Sequence, residues 1–331
     1  MDALLDLLLR PDGAVQKLLV MLIAIALFVA IMGIIVFAVD RPRNLPDWLA
    51  FTAFAGPAVL LMLFGLVYPG LRTIYQSFFD RTGDTFIGLS NFTTIFGDAS
   101  FRAIILNTII WVLLVPLLAT FIGLVYAVLV DQSRFESIAK ALIFAPMAIS
   151  LVGATIIWRF VYEYRQPGAE QIGALNQILV WLGQDTYQFI LTGPWNTFFL
   201  IVIFVWVQAG FAMTVLSAAI KAIPEDIVEA ARLDGVNGMQ MFRNVTIPAI
   251  RPALVVVVTT LAIGSLKVFD IVRTMTGGNF GTSVVANEFY EQAFRQFNPG
   301  LGAALAVVLF VLVIPIVIYN IRQMRFAEDI R

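Results

Sequence analysis

Residues 221–252 read KAIPEDIVEAARLDGVNGMQMFRNVTIPAIRP, a polar interlude between an apolar run that closes near Ile220 and another that opens near Ala253. Pro224 suits the first helical position, where its missing N–H has no partner to lose. Glu225 and Asp226 follow in the first turn and complement the positive end of the helix dipole. Gly235 ends that helix, because glycine reaches the left-handed cap conformation at little cost. Asn237 then caps a second short helix running to about Asn244, and Pro248 stops the segment. The stretch therefore predicts two short helices with a bend at Gly235. Ile227, Val228, Ala230 and Ala231 give the first helix a small, smooth apolar surface with Glu229 beside it. Such a surface suits insertion into a groove of another protein. An amphipathic loop lying on a membrane surface is the plainer use of the same residues.

The flanking sequence supplies the membrane. The 331 residues are 60% hydrophobic and 13% charged, where a soluble chain carries roughly 25% charged residues. A span needs roughly 20 apolar residues, and seven stretches qualify: 15–39, 52–78, 103–130, 138–161, 196–220, 252–272 and 301–321. The first is too long for the apolar part of a cleavable signal, roughly 7–15 residues, and reads as a retained helix. Ahead of it, MDALLDLLLR has a leucine-rich face suited to the interface. The net charge of −1 points to no nucleic acid. With neither Cys nor His, the chain lacks a thiolate nucleophile, the commonest general base and the usual soft metal ligands, and no metal site is expected. No phosphate-loop pattern occurs, so ATP is not expected on this chain.

Lys and Arg in short loops set orientation. With 221–251 placed inside, the inner loops and tail hold Arg41, Arg43, Arg134, Lys140, Lys221, Arg232, Arg243, Arg251, Arg322, Arg325 and Arg331. The C-terminus then lies inside. The odd span count puts the N-terminus outside, together with Arg10 and Lys17.

Polar side chains kept inside a bilayer mark function or helix pairing. Gln208 lies in FVWVQAGFAM, flanked by Trp206 and Phe211. An amide beside aromatic faces can hold a sugar, the amide on hydroxyls and the rings on C–H faces; an amide also bonds neighbouring helices. Ser265, Lys267 and Asp270 interrupt the Val-rich run after the loop. Lys267 and Asp270, three apart, are expected to share a helix face and neutralise each other, and Lys267 is also long enough to snorkel outward. Gly123, Pro116, Pro146 and Gly153 break up the middle spans and permit kinks, either static or hinging.

Glu229-Ala230-Ala231, then Gly235, then Val245-Thr246-Ile247-Pro248 resembles the EAA loop of bacterial ABC-importer permeases, with Val245 and Ile247 where the usual ending is I-x-L-P. Phe86-Ile87-Gly88-Leu89-Ser90-Asn91-Phe92, Gly173-Ala174-Leu175-Asn176 and Phe269-Asp270-Ile271 with Met275-Thr276-Gly277-Gly278-Asn279 resemble stretches of sugar permeases in the same order. The resemblance is to the branch that includes the larger membrane subunit of maltose importers, nearest to α-glucoside permeases.

It implies an all-α polytopic fold of six core helices plus one extra N-terminal helix. Residues 1–45 would hold the interfacial segment and extra helix, 46–321 the core, and 322–331 a cytoplasmic tail. It further implies an inner-membrane location and coupling through Glu229, Ala230, Ala231, Gly235 and Pro248 to two ATP-binding subunits, which would carry ATP and magnesium. A second, homologous permease and a periplasmic sugar-binding protein would complete the assembly. The substrate path would draw on Gln208, Trp206, Phe211, Ser265, Lys267 and Asp270. A secondary transporter or channel is the competing class and calls for ionisable residues in several spans. A membrane enzyme would have to rest on Ser265 and Lys267, which face different directions on a helix.

Overall fold

The computed structural model describes residues 13–40, 47–131 and 134–328. The N-terminal interfacial stretch with Arg10, the cations Arg41 and Arg43, and Arg331 lie outside the described residues, as does the side chain of Arg325. By its internal contacts the chain divides into two compact units, Met1–Arg72 and Thr73–Arg331. In the first, α1 spans Ala14–Asp40 and α2 spans Asp47–Met62, followed by a widened turn at Leu63–Val67. Next, α3 (Tyr68–Gln76) carries the chain across the boundary between the units.

The second unit continues with α4 (Ser90–Gly97), α5 (Ala99–Val130), α6 (Glu136–Phe144), α7 (Leu151–Val161), α8 (Ala174–Trp181) and α9 (Asn196–Lys221). The loop helices follow as α10 (Glu225–Leu233), α11 (Gly238–Gln240) and α12 (Ile247–Ala249), then α13 (Arg251–Leu266), α14 (Asp270–Met275), α15 (Val285–Tyr290) and α16 (Pro299–Glu328). Among the described residues, five helical runs are long and apolar enough to cross a bilayer, and seven if each of two bent pairs is one span.

The centre of the second unit is α9. Of its apolar stretch 61% is buried, against 33% in α5 and in α16. It packs along α5, which also carries α13. Small residues let the backbones meet, as lipid offers little hydrophobic drive for helix association. A Cβ on Gly123 of α5 would stand 2.5 Å from Ala212 Cβ and 2.7 Å from Met213 N. On the other side of α9, a Cβ on Gly210 would meet Ile143 O at 2.6 Å and Phe144 Cα at 2.8 Å. The helix is thus clamped between α5 and the end of α6. Around it, Trp111 and Val115 of α5, Leu200, Phe204 and Met213 of α9, and Val257 of α13 form the main core.

Two spans are shorter than expected. The predicted 138–161 span is broken, with α7 bent by 102° from the helix before it. Pro146 sits in the tight turn Ala145–Ala148, and Ser150 then caps α7 by accepting from Gly153 N at 3.0 Å. A proline turn followed by a fresh N-cap is a restart of the helix, not a bend of one. Pro116, in contrast, lies inside an α5 that runs without interruption. The predicted 252–272 span stops at Leu266, with Lys267 as its C-cap and Asp270 opening α14. The shared helix face expected for Lys267 and Asp270 therefore does not exist, and the two form no ion pair. Asp270 instead stands in the first turn of α14, where its charge complements the dipole.

The loop motifs prove to be staples. Asn91 Nδ2 donates to Ser77 O (2.9 Å) and Phe79 O (2.8 Å), fastening the turn after α3. In that turn Asp80 accepts from the N–H groups of Gly83, Asp84 and Thr85 and from the Thr82 hydroxyl. Partial desolvation works to raise its pKa, but these donors win and hold the carboxyl below its ordinary range. Asn176 donates to Glu163 O (2.8 Å) and Tyr187 O (3.2 Å) and accepts from Tyr187 N (2.8 Å). Beside it Gly173 is obligatory, since a Cβ would lie 2.1 Å from Glu163 O. In the last motif Thr276 and Thr282 share a 2.6 Å hydrogen bond, and Gly277 and Gly278 both turn through positive φ.

Candidate functional site

The loop between α9 and α13 folds as two helical pieces about Gly235. Pro224 is the N-cap of α10, with ψ 135°, one residue ahead of the position expected from the sequence. At the far end Gly235 has φ 75°, Gly235 N donates to Arg232 O (3.0 Å), and Val236 N donates to Ala231 O (3.2 Å). That pair of bonds satisfies the last carbonyls of the helix in the Schellman pattern. Asn237 and Gln240 close a reciprocal capping box at α11, each bond 2.9 Å. Pro248 does not stop the segment. A widened turn at Met241–Thr246 precedes it, and the break falls at Ile250, where α13 departs at 69°. Widening the turn gives the proline ring room that a regular helix denies it.

The surface of α10 faces away from the chain. Glu229 and Ala230 are exposed and Ala231 is half-buried. Ile227 is 49% exposed and Leu233 89% exposed. Behind the loop lies a cavity of about 520 Å³, walled by Val128, Asp131, Ile220 and Lys221 on one side and by Arg232, Met241 and Phe242 on the other.

The six residues expected along a substrate path do not converge. Val202, Val205, Trp206 and Ala209, at helical spacing, present one face of α9 to a second cavity of about 390 Å³ shared with Tyr126 and Trp158. The Trp158 and Trp206 rings meet edge to face at 5.8 Å. Gln208 and Phe211, three apart, fall on a different face. Phe211 packs against the main core. Gln208 is half-buried, and its side-chain amide makes no hydrogen bond to the described residues. Ser265 is fully buried, its hydroxyl donating to Ala262 O at 2.9 Å within its own helix. Lys267 is exposed and Asp270 half-buried.

One cluster went unread in the sequence, where Lys140 and Lys221 counted only as inner cations. Here they meet Asp131 and Glu136 at the loop end of α5, α6 and α9. The i,i+4 spacing of Glu136 and Lys140 was the one signal within a helix; Asp131 and Lys140 are nine residues apart across a helix break, and the partners on α9 lie 77 to 90 residues away.

Comparison with known proteins agrees with this architecture. Residues 87–324 match the family described as binding-protein-dependent transport system inner membrane component. The alpha-glucoside transport system permease protein AglF of Rhizobium meliloti is 48% identical over 282 residues, 85% of this chain and 83% of the relative. The osmoprotective compounds uptake permease protein GgtC of Synechocystis sp. is 47% identical, covering 84% of this chain and all of the relative (100%). A chain in the crystal structure of a bacterial ABC transporter that imports the acidic polysaccharide alginate superimposes with a TM-score of 0.72 at 23% identity, over 84% of this chain and 96% of that one. The fold of that chain is shared. With 238 contiguous residues matched from position 87 to 324, this chain belongs to the family of inner membrane components of binding-protein-dependent transport systems.

Proposed function

We propose that this chain is one permease subunit of an ABC importer that moves a sugar, of the α-glucoside class, into the cell. The observation that carries the reading is the coupling loop: a helix, α10, closed by a Schellman turn at Gly235, whose apolar residues Ile227 and Leu233 are exposed. Exposed apolar side chains on a helix that also carries Glu229 suit the groove of a partner better than open water. That partner is the ATP-hydrolysing subunit, which carries the ATP and magnesium. The loop then lies in the cytoplasm, the C-terminus with it. A second permease completes the membrane part, and a periplasmic binding protein delivers the sugar. The α-glucoside class rests on the relative at 48% identity.

For the path itself, Gln208 is the best-supported residue. An amide in mid-span with no partner among the described residues faces either a wet cavity or a neighbouring subunit, because lipid leaves it unpaired at a cost. In proteoliposomes holding the full importer, Gln208→Leu is expected to lower sugar uptake about tenfold, the loss of one well-placed hydrogen bond to substrate, while ATP hydrolysis persists. Unaltered affinity and uptake rate would remove Gln208 from the path. Ser265, Trp206, Phe211, Lys267 and Asp270 rank behind it.

A further inference from the structure

The charged cluster at the loop end joins three helices. Asp131 is the C-cap of α5, Glu136 and Lys140 belong to the first turns of α6, and Ser217 and Lys221 close α9. Lys140 Nζ lies 2.6 Å from Asp131 Oδ1 and 2.9 Å from Glu136 Oε1. Ser217 Oγ donates to both oxygens of Asp131, at 2.7 and 3.0 Å, and accepts from Lys140. Lys221 bonds Glu136 and stands 3.9 Å from Asp131. Two carboxylates and two ammonium groups balance, and the side chains grade from 12% exposed at Asp131 through 24% at Lys140 to 51% at Lys221. An isolated exposed pair holds little. A closed network with its hub shielded and every group bonded holds its members in register.

Its position gives it work. Lys221 ends α9, and α10 begins at Glu225. Helix α10 packs on the widened turn of its own loop, while the 520 Å³ cavity separates loop residues such as Arg232 and Phe242 from Val128, Asp131 and Ile220. A displacement of the loop is therefore not passed to α5 by close packing across that space. Three routes are left: the chain at Ile250 into α13, which packs on α5, the chain at Lys221 into α9, and the side chains bonded to Lys221.

We propose that Asp131, Glu136 and Lys140 are positioning residues for coupling: with Lys221 and Ser217 they brace α5 and α6 to the junction of α9 and the loop, so that the three helices move as one block when the loop is displaced. The proposal rests on the reading of 221–251 as the site where the ATPase grips. The test is the complete importer in proteoliposomes with its binding protein, measuring sugar moved per ATP hydrolysed. Lys140→Gln is expected to assemble and to hydrolyse ATP within about twofold of the parent, while sugar per ATP falls at least about fivefold, the scale of a typical coupling between sites. Lys140→Arg should restore the ratio, because the guanidinium can bridge both carboxylates. An unchanged ratio in Lys140→Gln, or no recovery in Lys140→Arg, overturns the brace. Should Lys140→Gln not assemble, Lys221→Gln at the exposed rim is predicted to lower the ratio in the same way, and an unchanged ratio there overturns it too. Glu229→Ala separates this proposal from its premise. If that variant transports normally, the loop reading falls and the brace with it. If Glu229→Ala uncouples and the Lys140 and Lys221 variants do not, the brace alone is wrong.

Discussion

Replacing Glu229 with lysine is expected to strip the ATP-hydrolysing subunit from the purified permease and to cut ATP-driven uptake by more than about tenfold. Glu229 stands exposed on α10 and forms no ion pair with the described residues, so the fold itself should lose no more than about 0.5 kcal/mol. All of the effect must therefore come from a partner. A charged anchor beside apolar residues in a buried contact is worth about 2 kcal/mol or more when removed, which is roughly thirtyfold in affinity, and reversal of its charge adds repulsion. Co-purification of the ATPase and uptake into vesicles measure the two consequences. A variant that keeps both would show that the residue touches nothing during transport.

The second large effect concerns the helix at the centre. Gly210→Ala places a methyl group 2.6 Å from Ile143 O and 2.8 Å from Phe144 Cα, and Gly123→Ala places one 2.5 Å from Ala212 Cβ and 2.7 Å from Met213 N. These neighbours are backbone atoms or the stub of a side chain, and no rotamer change relieves them. The helices have to separate, and each change is expected to cost about 3 kcal/mol or more. Gly264→Ala is the control, since its nearest neighbour is Phe204 Cζ at 3.7 Å, an ordinary contact. Thermal unfolding of the detergent-solubilised importer should show Gly210→Ala and Gly123→Ala well below the parent and Gly264→Ala close to it. Equal behaviour of all three would mean that α9 is not clamped as described.

Those glycines show what a membrane sequence conceals. Along α5, Trp111, Val115, Ala119 and Ala127 are buried, while Leu113, Leu117, Phe121 and Leu129 look outward. Both stripes are apolar, because lipid is as oily as the core. Hydropathy therefore finds the helix and says nothing of which face packs. It also averages over breaks. Ser150 and Lys267 each end or restart a helix inside an apolar run, and a single polar residue there reads equally as a cap or as a polar position within a span. Lys267 and Asp270 share no helix face for that reason: residues 267–269 lie between two helices, where helical spacing does not apply.

The 221–252 loop was legible because it is polar and must satisfy its own backbone. Gly235 and Asn237 did what their chemistry allows, one with positive φ and the other with a capping box. Pro248 misled, since the widened turn before it absorbs the ring. The aligned motifs were visible as residue patterns, but the roles of Asn91 and Asn176 as staples of loop carbonyls appear only when distant backbone is brought near. The Asp131–Lys140–Lys221 cluster needed the three helix ends to meet at one level, which no local pattern encodes.

The central claim is that residues 221–251 are gripped from inside the cell by a nucleotide-driven partner. The chain has no cysteine, so Ala230→Cys carries a unique thiol on the exposed face of α10. In the assembled importer this thiol should cross-link to the ATP-hydrolysing subunit, should change its cross-linking yield when ATP is added, and should resist a membrane-impermeant thiol reagent applied to intact spheroplasts. Labelling of that thiol from the outside, or its failure to reach the ATPase in a complex that transports, would contradict the account.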